Sequence, residues 1–136
     1  MQKIAVGVQD FETLRINGYF YVDKTEFLRE WWESGDSVTL INRPRRFGKT
    51  LMMSMTEQFF SVEYVKRTEL FKGLAIWEDA AFRKLQGTYP VIFLSFSGVK
   101  ENSYREARKK ICRLIQLLYR RYAFLLEGDL LSEQEK

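Results

Sequence analysis

Three adjacent residues, Gly48-Lys49-Thr50, are of the types that hold a polyphosphate. A glycine lets backbone N–H groups approach phosphate oxygens, a lysine reaches the β- and γ-phosphates, and a hydroxyl completes the shell of a magnesium ion. The full phosphate-loop (P-loop, Walker A) pattern, G-x-x-x-x-G-K-[ST], asks for a further glycine five residues before Gly48. Arg43 stands there instead, so the strict pattern is not met. A bare triplet of this kind arises by chance in about one chain in fifteen of this length, so its meaning depends on the flanking elements.

Those flanks have the right character. Val38-Thr39-Leu40-Ile41 is a β-branched, apolar run that fits a buried strand and stops at Asn42-Arg43-Pro44. After the triplet, Met52, Met55 and Phe59 recur at spacings of three and four with no glycine or proline between them, which predicts a helix opening at Lys49. A helix start offers unpaired N–H groups and the positive end of its dipole to an anion. A plain basic turn is the competing reading of the same residues.

Composition narrows the classes. The chain has 136 residues, 46% of them apolar and 15% aromatic, enough for a core and too much for a disordered chain. It contains no histidine, which removes histidine catalysis and histidine metal sites. The lone Cys112 excludes an internal disulfide and a thiolate zinc cluster, and its place in an apolar helical stripe suggests a small core residue. The net charge of +4 allows an anionic partner without requiring one. With no leader peptide and no long apolar run, the expectation is a cytoplasmic protein without membrane contact.

Before the loop, Asp10 is placed to cap a helical turn, Asn17-Gly18 marks a turn, and Tyr19 to Val22 has strand composition. Asp23, three residues before Glu26, resembles a capping box for a helix that carries Phe27, Leu28, Trp31 and Trp32 and ends at Gly35. The two tryptophans read better as core than as a platform for a base. Asp23 and Lys24 have two readings: capping for Asp23, or a polar segment reaching back to the loop.

After the loop, Leu74 to Asp79 imitates an acid-tipped strand, but the composition favours a surface turn with solvated acids. Pro90 to Phe96 reads as a second buried strand. Ser103 to Glu127 reads as a long helix with a capping box, Ser103 with Glu106, and one apolar side running from Ala107 to Leu125. Its other side is basic, with Arg105, Lys109, Arg113 and Arg120 on one line and Arg108, Lys110 and Arg121 beside them. That face is either solvated or suited to a nucleic-acid backbone.

Four stretches, DFETLR, YVDKT, RPRRFGKT and PVIFLSF, occur in an order that resembles the amino-terminal part of the AAA-ATPase-like family. These are P-loop ATPases often fused to a nuclease-like domain of the PD-(D/E)XK type. The resemblance implies an α/β fold, a P-loop NTPase-like parallel sheet with flanking helices, here apparently truncated. Residues 1–35 would be a lead-in packed on the ATPase core, and 36–136 the first half of the ATPase domain. It also implies that Arg43, Pro44, Arg45, Arg46, Phe47, Gly48, Lys49 and Thr50 bind ATP, with magnesium on the Thr50 hydroxyl. In this family Arg43 in the first-glycine slot is typical.

The later acid-tipped strand and the nuclease-like domain of such proteins are absent from these residues, so binding rather than hydrolysis is the expected activity. The alternative is a basic nucleic-acid-binding module built on the 103–127 helix. A nucleic-acid partner would be reached through that helix or through the missing nuclease-like domain.

Overall fold

The structure, a computed structural model, describes residues 3–42, 44, 48–128 and 134. It divides into two compact units, Met1–Val91 and Ile92–Lys136.

The first unit is helical. Helix α1 (Phe11–Ile16) starts at Asp10, whose carboxylate accepts the Thr13 backbone N–H at 2.7 Å and the Thr13 hydroxyl at 2.6 Å. The other Asp10 oxygen accepts the Gln58 amide at 2.7 Å and the Ser54 hydroxyl at 3.2 Å, which ties the start of α1 to the middle of α3 (Lys49–Phe60). Burial works to raise the Asp10 pKa, but the hydrogen bonds from Thr13, Gln58 and Ser54 outweigh it and hold the carboxyl below its ordinary value. Helix α2 (Glu26–Ser34) ends at Gly35 in the left-handed region, φ 65°, the stop expected from sequence.

The α3 face carrying Met52, Met55 and Phe59 is buried, as its periodicity predicts. Phe59 is fully buried and meets Phe60 and Phe71 edge-on at 5.0 Å each, while Phe71 stacks on Phe11 at 5.2 Å. Full burial of such a ring stabilises by about 1.5–3 kcal/mol, so this aromatic cluster is a principal reason the unit is compact. Two 3-10 turns, Val62–Tyr64 and Thr68–Leu70, lead to the short helices α4 (Ala75–Glu78) and α5 (Ala80–Leu85).

Asp23 acts as a clamp. One carboxylate oxygen accepts the Thr25 N–H at 2.8 Å and its hydroxyl at 2.7 Å, and the other accepts the Ala75 N–H at 2.7 Å, at the start of α4. Thr25, fully buried, accepts the Ile76 N–H on its hydroxyl at 3.2 Å. The capping box expected between Asp23 and Glu26 is not formed, because Thr25 rather than Asp23 precedes α2 and the Asp23 carboxylate is committed to α4.

The parallel sheet is not present among the described residues. Among the described residues the nearest approach to one is an isolated parallel bridge between Ser61 and Tyr89. Val38 and Leu40 are 86% and 87% exposed, and Ile92 and Phe96 are 61% and 56% exposed, so neither strong strand candidate is a buried strand. Tyr19 to Val22 is irregular as well. The α/β assignment is therefore corrected to a helical architecture. A β-branched run becomes a strand only when ladder hydrogen bonds satisfy its backbone, and no described segment supplies a ladder to these runs.

In the second unit the expected 103–127 helix is two helices, α6 (Tyr104–Arg121) and α7 (Ala123–Glu127), separated at Tyr122 with φ −103° and ψ 21°. Ser103 caps α6 by accepting the Glu106 N–H at 3.3 Å. Tyr122, 4% exposed, accepts the Phe93 N–H on its hydroxyl at 3.2 Å, and the Lys110 ammonium reaches the Gly98 carbonyl at 3.2 Å and the Glu101 carboxylate. No α6 residue is fully buried, and Cys112 is exposed rather than in a core, because the line it occupies is the basic side of the helix.

Candidate nucleotide site

Gly48 adopts φ 74° and ψ 19° immediately before α3 and accepts the Met52 N–H on its carbonyl at 2.9 Å. Left-handed backbone is strained for other residue types, and glycine enters it freely, which lets the chain turn sharply into the helix. Lys49 and Thr50 are the first two helical residues, so their side chains lie beside the unpaired N–H groups of the first turn. Lys49 is half-buried and Thr50 exposed.

Gly48, Lys49, Thr50 and Leu51 line one wall of a cleft of about 840 Å³, and Ala5 to Gln9 line the other. A second, smaller cavity of about 210 Å³ shares Ala5, Val8, Gly48 and Leu51 with it and is otherwise mostly apolar. Tyr21, which borders that cavity, donates its hydroxyl to the Met55 sulfur at 3.3 Å and accepts the Lys24 N–H at 3.2 Å. Burial pushes its phenol above the usual tyrosine range.

Of the eight residues expected at the site, Gly48, Lys49 and Thr50 are together on the cleft, and Pro44 is exposed. Arg43, Arg45, Arg46 and Phe47 lie outside the described residues. Sequence reasoning missed the wall formed by Ala5 to Gln9. Gly7 turns the chain there with left-handed backbone, φ 78°, but no residue pattern in the sequence marks the run as a wall. Lys24 borders the smaller cavity, whereas Asp23 is engaged with Thr25 and Ala75.

Other candidates resolve into packing. Trp31 is half-buried against the core and donates its indole N–H to Thr39 at 2.9 Å, and Trp32 stacks on Phe60 at 5.3 Å. Ala75–Glu78 is a short helix rather than the expected turn, and Asp79, which accepts the Ala81 N–H at 2.8 Å and pairs with Arg29 at 3.2 Å, is held in packing rather than solvated. Among the described residues no group of three or more acids, cysteines or histidines is placed to hold a metal ion, and no helix is long and apolar enough to cross a membrane.

Comparison with known proteins agrees with the family resemblance. Residues 5–135 match the family described as Predicted AAA-ATPase. An uncharacterized protein of the vnfD 5′ region of Azotobacter chroococcum mcd 1 is 31% identical over 117 residues, 85% of this chain. The match spans 21% of that protein, so this chain corresponds to about a fifth of its relative. No solved structure matches the chain. Nearly the whole chain thus carries the family pattern, and the protein belongs to the AAA-ATPase-like family.

Proposed function

We infer that the chain is a nucleotide-binding module that takes Mg-ATP at the loop leading into α3. The observation that carries this reading is the left-handed Gly48, which turns the chain so that Lys49 and Thr50 open the helix directly on the large cleft. The Lys49 ammonium would neutralise the β- and γ-phosphates, and the first-turn amides would donate hydrogen bonds to their oxygens. Arg43, Pro44, Arg45, Arg46 and Phe47 would complete the loop, with the guanidiniums adding charge-assisted contacts.

The Thr50 hydroxyl, exposed beside Lys49, is a hard oxygen donor of the kind magnesium takes alongside phosphate and water. Magnesium there would screen the phosphate charges. The described cleft lining carries no carboxylate, so the role supported by these residues is binding and orientation of the triphosphate.

Isothermal titration calorimetry with Mg-ATP tests this reading. Saturable binding that Lys49→Ala weakens at least tenfold is the expected result. Equal affinity in the two proteins, both folded by circular dichroism, would remove it.

A further inference from the structure

Helix α6 carries seven Lys and Arg residues between Tyr104 and Arg121 against one acid, Glu106. Arg105, Arg108, Lys109, Arg113 and Arg120 line one open trough of about 850 Å³ along the helix. Lys109 pairs with Glu106 at 3.0 Å in solvent, a contact that contributes little, and the other four make no ion pair with a described acid. At 1.5 Å per residue the line from Arg105 to Arg120 is about 22 Å long. Four like charges so placed repel one another, and a polyanion lying along them relieves that repulsion.

We propose that this face of α6 binds the phosphate backbone of a single nucleic-acid strand, a function separate from the nucleotide cleft. Four of the five cations are arginines, whose planar forks match phosphate oxygens in pairs. Tyr104 lines the same trough, is 83% exposed, and presents a ring on which an unpaired base stacks. A bilayer fits less well, because Leu117 is the one aliphatic residue among the described lining of the trough, and Ile111, Leu114 and Leu118 lie outside that lining and are half-buried.

Fluorescence anisotropy with a labelled 20-nucleotide single strand, read over a series of salt concentrations, tests the proposal on the full chain. Binding should weaken steeply with salt. The triple variant Arg105→Gln, Arg108→Gln, Arg113→Gln should lose at least tenfold in affinity and flatten the log–log salt slope by about 2, at about 0.7 per cation for single strands. Tyr104→Ala should weaken the single strand severalfold and leave a duplex unchanged. Lys49→Ala should have no effect on any of these.

Since Tyr104, Arg105, Arg108 and Arg113 are exposed, their variants should melt with the wild type. Should the triple variant fail to fold, Arg105→Gln and Arg113→Gln measured singly carry the same expectation at reduced size. Four results overturn the proposal: no binding, an equal loss when Lys3, Lys66 and Lys84 are neutralised instead, equal displacement by poly-glutamate, or tighter binding to phosphatidylserine vesicles than to the oligonucleotide.

Discussion

Replacing Asp23 by alanine removes three hydrogen bonds at once, from the Thr25 N–H at 2.8 Å, the Thr25 hydroxyl at 2.7 Å and the Ala75 N–H at 2.7 Å. The last of these joins residues 52 apart in sequence and holds the start of α4 against the start of α2. Hydrogen bonds to a charged acceptor contribute about 1.5–3 kcal/mol each when buried, and less where solvent competes. Because the carboxylate is partly exposed, the sum is about 3 kcal/mol, which is about 9 °C in melting temperature for a chain of this size.

Asp23→Asn keeps an acceptor oxygen and should lose about half as much. Burial raises the Asp23 pKa, but the bonds from Thr25 and Ala75 outweigh that and hold it below its ordinary value of 3.8. The folded state therefore binds its proton less readily than the unfolded chain. The clamp's contribution is fully present above pH 3.8 and is lost as pH falls through the lower folded-state value. Urea melts of wild type and Asp23→Asn at pH 7 and across the acid limb measure this. A gap that narrows with acid is expected; a gap that is constant with pH, or an Asp23→Ala loss under about 1 kcal/mol, would refute the clamp.

The remaining predictions concern packing. Gly87 has φ 70°, and an added Cβ would lie 2.5 Å from the Val65 Cα, so Gly87→Ala should lower stability by at least about 2 kcal/mol in chemical denaturation. Phe71→Ala, at a fully buried ring between Phe11 and Phe59, should cost about 3–5 kcal/mol and leave little folded protein at 37 °C by circular dichroism. Cys112 should react completely with Ellman's reagent in the native protein within minutes, since it is exposed on α6; a thiol that reacts only in denaturant would restore the core reading.

What the sequence revealed was local. The α3 helix, the Asp10 cap and the Gly35 stop each depend on residues within one or two turns, and periodicity or capping chemistry exposes them. The two strands failed because Val38 to Ile41 and Pro90 to Phe96 have strand composition, but composition names a segment that fits a sheet without supplying the neighbours that make one. Cys112 was misjudged because it was assigned to the apolar stripe, whereas it lies among Arg108, Lys109 and Arg113. The Asp23 clamp and the wall from Ala5 to Gln9 were illegible for a different reason. Both arise from long-range placement, and neither has a spacing rule to announce it.

The central claim, that the start of α3 holds a triphosphate, is tested most directly by thermal melting with and without Mg-ATP at about a hundred times its Kd. Binding there stabilises the fold by about 2.7 kcal/mol, which should raise the melting temperature by about 8 °C in wild type and by no more than about 4 °C in Lys49→Ala, whose affinity is at least tenfold weaker. A folded wild-type protein whose melting temperature does not move with Mg-ATP, or a Lys49→Ala variant that rises as far as wild type, would contradict the account.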